Sequence, residues 1–586
     1  MSFDFYEFCN VVTFKVVSLL VKNFEFYFLK IVFAFFTFRP RMIIKRLWIL
    51  NFIFIPTVLV VWRKISDTNS RPVILTKNGL VRGLKSSNGD YDMFLGIPYG
   101  KVRQENPFGI ADPYPKYEGI FDADDDNNPC PQYDEGFNFF AGTLDCLRLH
   151  IYTPKKSEKL AVMVYIHGGA FRYGHSGSCN GEKDYDPVYL IRHNIIFVSL
   201  TYRLGVYGFM CLGTKEIPGN TGLKDQLLAL RWIKANIEAF GGDPDRITIF
   251  GHSSGAVTVD YQVHYQHDNL FQQAILQSGT ITNMQSFGEA NTSLPFIMAE
   301  NLGFKTRDLD AAIRFLSKQD PFNVIKAITN PALPILNFQP CMEKKFYGVE
   351  HFITKKPSEL VPKVKNRKFL IGNTNDEYNI VIGNSPDEFF DDDQTIRKYL
   401  NYSFNFNEEE LNGAVHKLKQ FYIGNDEFSR KYRRQMTDLF SDMVYIYPTY
   451  KLLNIYHKNE ATKVYYYLFT YSGGRNMYCQ RNNLTLDTAI HADELGYLFQ
   501  DLHVKSSSPE DQLMIDRMTT LWTNFAKYGD PVPSTSEILP TQWVPISDDS
   551  KAYFRIDKTT KMDTEFLAKN EFWEEFYRQY SKNYKY

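Results

Sequence analysis

The sequence predicts an α/β protein: a mostly parallel central sheet flanked by helices, with helical insertions forming a cap. Two observations carry this. From about Arg71 onward, short apolar runs alternate with helical segments, and no repeat, low-complexity tract or long Pro/Gly/Ser linker interrupts them. Within that rhythm, a strand runs into Gly251-His252-Ser253-Ser254-Gly255 and a helix follows. Hydrophobic residues make up 44% and charged residues 23% of the 586 positions, enough for a sizeable core. The net charge of -1 excludes the basic excess expected of a nucleic-acid binder. Seven cysteines are too few for a disulfide scaffold, although one or two bridges fit an oxidising compartment.

The first seventy residues stand apart. Phe24 to Phe38 is apolar but is broken by Glu25 and Lys30. Leu47 to Trp62 holds no charge and covers roughly 24 Å as a helix, short of the ~30 Å hydrocarbon core. Arg39, Arg41, Lys45 and Arg46 precede this run, and Arg63 and Lys64 follow it. The heavier positive side stays cytoplasmic, which directs the rest of the chain to the lumen or outside. Residues 42–70 therefore read as a signal peptide or signal anchor plus a short linker, opening at Met42. Residues 1–41 read as a hydrophobic N-terminal extension upstream of it. The expected location is the secretory pathway, with the chain secreted or membrane-associated through this segment. Asn291, Asn401 and Asn483 head three glycosylation sequons.

Next come the elements of the sheet. Ala161 to Ile166 and Ile195 to Leu200 read as buried strands. Leu223, Leu227, Leu230, Ile233 and Ile237 recur at helical spacing, and Gly241-Gly242 with Asp243-Pro244 ends that helix. Ile247 to Phe250 is a short strand that delivers the chain to Ser253. A nucleophile elbow needs this arrangement, because the serine sits on a sharp strand-to-helix turn and the flanking glycines make room for it. Upstream, His167-Gly168-Gly169-Ala170-Phe171 leaves the strand ending at Ile166. Small residues there let backbone amides face a substrate carbonyl.

A serine nucleophile also needs a base and an orienting acid, which follow it in the chain order Ser, acid, His. His491, in a loop expected to enter an apolar helix, is the candidate base. The acid lies after the strand-like KFLIG, where Asp376 and Glu377 are adjacent and position does not choose between them. Residues 291–320 read as helical and as a cap over the site.

FLGIPYG, DCLRLHIYTP, IHGGAF, TYRLGVYGF, PGNTGLKDQLLALRW, AFGGDPDRITIFGHSSG, LFQQAILQSG and WTNFAKYGDP occur in this order. Together they resemble the type-B carboxylesterase family, which includes the cholinesterases. The resemblance implies one α/β-hydrolase domain over residues 71–580. It implies Ser253 as nucleophile, Glu377 as acid and His491 as base, with an oxyanion hole from Gly169, Ala170 and the backbone of Ser254. It implies a disulfide between Cys130 and Cys146 and leaves Cys179, Cys211, Cys341 and Cys479 unassigned. The reaction implied is hydrolysis of small carboxylic esters, apolar or aromatic, through an acyl-enzyme, with no metal and no organic cofactor. The alternative is a catalytically weak or inactive adhesion or binding protein of the same superfamily, although this chain keeps all three triad residues.

The departures matter equally. The residue before the nucleophile is usually Glu in this family and is His252 here, which predicts weaker stabilisation of a protonated His491. Ser254 replaces the usual Ala, and Tyr378 the usual Gly after the acid. The Cys130–Cys146 loop holds Phe137, Phe139 and Phe140 but no Trp, so the cation–π cradle for choline esters is missing.

Overall fold

The computed structural model describes residues 71–585 apart from 135–138, 156–158, 180–181, 266–267, 329–337, 384, 501–507, 549 and 565–566. The expectations for residues 1–41 and 42–70, and for Phe137, lie outside the described residues.

An eleven-stranded sheet organises Arg71–Tyr586, which forms a compact unit by itself. In chain order its strands are β1 (Leu84–Lys85), β2 (Tyr91–Pro98), β3 (Arg148–Pro154), β4 (Leu160–Ile166), β5 (Ile196–Leu200), β6 (Gly242–His252), β7 (Gln273–Gln277), β8 (Lys368–Thr374), β9 (Lys463–Phe469), β10 (Tyr553–Ile556) and β11 (Lys561–Asp563). Across the sheet they lie in the order β11-β10-β9-β8-β7-β6-β4-β5-β3-β2-β1. Every pair from β5 through β10 is parallel. The pairs at the two edges are antiparallel.

Strand β4 shows why the central strands are continuously apolar. Val162, Val164 and Ile166 join one buried cluster, and Ala161, Met163 and Tyr165 join another on the opposite face. A strand covered on both faces has no polar side to show. On the first face lies helix α1 (Thr221–Asn236), whose Leu223, Leu227, Leu230 and Ile233 are at most 1% exposed. The second face carries the long helix Pro509–Tyr528, with Met514, Met518, Trp522 and Phe525 inside.

The expected helix end at Gly241 is observed, where the chain turns with φ +86°. β6, however, begins at Gly242 rather than near Ile247. Its pairing with β4 jumps from Leu160↔Gly242 to Val162↔Ile247, so the Asp243-Pro244 turn is absorbed as an irregularity inside the strand. The cap region is helical, with Leu294–Asn301, Leu309–Leu316 and Pro321–Lys326.

Two expectations need correction. The loop after His491 enters a five-residue 3-10 turn, Asp493–Tyr497, not an apolar helix. The Asp493 carboxylate accepts the amides of Ile490 and Cys479, so the chain folds back there instead of extending. Cys130–Cys146 is bonded as the resemblance implied, but Cys211 and Cys341, left unassigned, form a second bridge 130 residues apart in sequence. Their Cα atoms lie 6.6 Å apart, within ordinary disulfide reach. Cys179 and Cys479 are buried, and the Cys479 thiol donates to Asp493 Oδ2 at 3.2 Å.

Candidate active site

The elbow is built by the end of β6 and the start of helix α2 (Ser254–Tyr265). Ser253 takes φ +57°, a left-handed conformation that a non-glycine residue holds only when its surroundings enforce it. Its amide donates to the Gln277 carbonyl at 2.8 Å, which fastens the turn to β7. A side chain at Gly251 would meet the Gly255 carbonyl carbon at 2.6 Å, and one at Gly255 would meet the Ile166 carbonyl oxygen at 2.2 Å, so backbone on either side of the turn requires both glycines. Gly168 plays the same part for the upstream turn: a Cβ there would lie 3.1 Å from that of Ser253.

That upstream turn brings Gly169 (φ +115°) and Ala170 (φ +53°) beside the elbow. The amides of Gly169 and Ala170 have no acceptor among the described residues. Ser254 opens helix α2, where amides are unpaired and the helix dipole favours negative charge. The Ser254 hydroxyl accepts the Phe171 amide at 3.2 Å, tying one turn to the other. A cavity of about 130 Å³ opens here, lined by Ala170, Phe171, Ser253, Phe338, Val444 and Tyr445 among others.

His491 Nδ1 lies 2.6 Å from Glu377 Oε2, and both side chains are buried. A carboxylate only accepts, so Nδ1 carries the hydrogen and Nε2 is left as the basic nitrogen. Glu377 Oε1 accepts from the Ser278 hydroxyl at 2.6 Å and the Thr374 amide at 2.8 Å. The adjacent Asp376 faces elsewhere, accepting from Asn379 Nδ2 at 2.9 Å and Arg434 Nη1 at 3.1 Å. Glu377, and not the adjacent Asp376, is the carboxylate that meets His491. The approach of His491 to the elbow is seen through His252, whose ring centroid is 4.5 Å from that of His491. Among the described residues the Ser253 hydroxyl has no hydrogen-bond partner. Such bonds commonly tighten only when substrate is bound.

The imidazole of His491 is in contact with a second ring, Tyr445, whose centroid lies 4.8 Å away. Tyr445 belongs to a π-helical turn, Asp442–Ile446, a rare insertion that re-aims side chains. Asn283 Nδ2 donates to the Val444 carbonyl at 2.9 Å, and the Tyr378 amide donates to Ser441 Oγ at 2.9 Å. These bonds register the turn against the cavity and against Tyr378, the residue that follows Glu377.

Two buried groups complete the electrostatics. Burial, and secondarily the His491 imidazole, holds His252 well below the usual histidine range, so it is neutral; its Nε2 has no hydrogen-bond partner among the described residues. Burial, reinforced by the Glu377 charge, pushes the Glu494 carboxyl up to about 8. Gln277 Nε2 donates to Glu494 Oε1 at 3.2 Å, linking that carboxyl to the end of β7, where the Gln277 carbonyl takes the Ser253 amide.

Sequence reasoning missed Ser278, Tyr445 and Glu494. Ser278 lies within the LQSG segment and Glu494 three residues after His491, so both sit in segments already singled out. Nothing in the sequence marks Tyr445, because a π turn has no pattern of its own.

The model of the carboxylesterase family matches residues 70–573. Esterase FE4 of Myzus persicae is 31% identical over 496 residues, covering 80% of this chain and 86% of that protein. Bile salt-activated lipase of Mus musculus is 30% identical over 522 residues, covering 83% of each. Among solved structures, juvenile hormone esterase of Manduca sexta, with OTFP covalently attached, superposes with a TM-score of 0.74 at 23% identity. That match covers 87% of this chain and all of the other, and shows a shared fold.

Proposed function

The chain belongs to the carboxylesterase family and is a carboxylic ester hydrolase, and from that premise we propose that it works as a serine esterase through an acyl-enzyme. The observation that carries the mechanism is the Glu377–His491 pair at 2.6 Å beside the strained elbow of Ser253. His491 Nε2 takes the proton of Ser253 as the hydroxyl oxygen attacks the ester carbonyl, while Glu377 fixes the tautomer and supports the imidazolium. The amides of Gly169, Ala170 and Ser254 receive the oxyanion; losing one such donor typically costs about 3 kcal/mol of transition-state stabilisation. The alcohol leaves with the proton from His491. Water then attacks the acyl-enzyme with His491 again as base, and the acid departs.

The apolar part of the cavity lining, Phe171, Val257, Phe338, Val444 and Tyr445, suits apolar or aromatic esters. Two disulfides suit an oxidising compartment and so favour the secretory pathway. Asn291, Asn401 and Asn483 are exposed, as glycosylation requires.

The test is turnover of p-nitrophenyl esters of increasing acyl length by purified wild type and Ser253→Ala. Wild-type hydrolysis that falls by about 10⁴-fold or more in the variant supports the reading. Wild-type inactivity across the panel would favour a binding role instead.

A further inference from the structure

The second disulfide stands next to the substrate cavity. Phe338 and Gln339 line that cavity, and two residues after Gln339 the chain reaches Cys341, bonded to Cys211. The segment between is fastened from several sides. Gly288 donates its amide to the Pro340 carbonyl at 2.8 Å. The buried Asn220 side chain holds Cys341 by both its amide and its carbonyl, at 2.8 and 2.7 Å. Two residues on, Glu343 is 4% exposed and pairs with Lys224 of helix α1 at 2.6 Å. Asn220 Nδ2 also donates to Glu343 Oε1 at 2.6 Å, so one amide joins the disulfide to the ion pair.

Burial opposes the charge on both partners, lowering Lys224 and raising Glu343. A desolvated pair of this kind contributes little net stability, yet separating its partners leaves a buried charge uncompensated and is strongly disfavoured. Covalent bond, bidentate amide and ion pair thus converge on 341–343, anchored to the loop before helix α1 and to α1 itself. Phe338 and Gln339, which precede this anchored stretch, line the same cavity as Ser253.

We propose that the Cys211–Cys341 bridge is a specificity-determining clamp, which fixes the Phe338–Gln339 wall and so sets the length of ester chain the cavity accepts. This rests on the esterase reading above. Neither cysteine touches the reacting atoms, so both are positioning residues. Opening the bridge frees the wall to retreat and admits longer chains, without removing nucleophile, base or oxyanion donors.

The test compares wild type with Cys211→Ser/Cys341→Ser on p-nitrophenyl acetate through octanoate, and on butyrate esters of short and long alcohols. Active sites are counted by fluorophosphonate titration. The expected result is a rise of about fivefold or more in the long-to-short ratio of kcat/KM in one series, where a single methylene can command roughly 10–200-fold. Where the double variant does not fold, folded wild type is reduced and alkylated, with modification of Cys211 and Cys341 mapped by mass spectrometry. Cys130→Ser/Cys146→Ser serves as the control that keeps the clamp. Normal wild-type turnover with unchanged ratios, or a uniform loss at every chain length, overturns the clamp alone. Wild-type inactivity on every ester overturns the esterase reading with it.

Discussion

Replacing His252 by Glu should move the pH dependence of catalysis upward. The His252 ring lies 4.5 Å from that of His491 and is neutral, so the wild-type imidazolium gains no charge from this side. A carboxylate at that separation attracts an imidazolium by about 3.7 kcal/mol at an effective dielectric constant near 20. This corresponds to about 2.7 pH units and is a ceiling, because burial also raises the new carboxyl itself. A shift of about 1–2 units is expected. The carboxylate favours the charged ring, so the base stays protonated to higher pH and the acid limb of kcat/KM moves up. The plateau rises too, since the imidazolium formed in the transition state gains the same support. The assay is kcat/KM for p-nitrophenyl butyrate from about pH 5 to 9, with His252→Gln as a neutral control. An unmoved limb in His252→Glu, or one displaced downward, refutes the reasoning.

Ser254→Ala removes the acceptor for the Phe171 amide and loosens the Gly169–Phe171 turn proposed to hold the oxyanion. The loss should appear as about a 5–10-fold drop in kcat with little change in KM, the scale of one hydrogen bond. Glu494→Gln should flatten the pH dependence of stability. Folded Glu494 keeps its proton up to about 8, whereas the unfolded carboxyl releases it near its ordinary value of 4.5. Wild-type stability therefore falls as pH rises through that window, and urea midpoints across it should show the slope shrink in the variant. Cys130→Ser/Cys146→Ser opens a bridge between residues 16 apart and should cost about 3 kcal/mol in chemical denaturation.

Much of this site was legible because its chemistry is local in sequence. The Ser253 turn needs glycine where a Cβ at Gly251 would strike Gly255, and that need is written in five consecutive residues. Strand β4 announced itself because burial on both faces leaves only apolar positions. Position did not choose between Asp376 and Glu377, which only the resemblance separated, because the contacts that distinguish Glu377 come from His491 and Ser278, 114 and 99 residues away. The Cys211–Cys341 bridge spans 130 residues, and no spacing rule reaches that far. The missing helix after His491 has a related cause. Asp493 spends its carboxylate on the Ile490 and Cys479 amides, a tertiary arrangement that hydrophobic pattern does not reveal.

On the proposed mechanism Ser253 is a nucleophile activated by His491 and Glu377. A fluorophosphonate probe, followed by peptide mapping, tests it most directly. Purified wild type should be labelled stoichiometrically on the peptide bearing Ser253, while Ser253→Ala takes no label and His491→Ala reacts at least about 10³-fold more slowly. No label on wild type, or a label that persists in Ser253→Ala, would contradict the account.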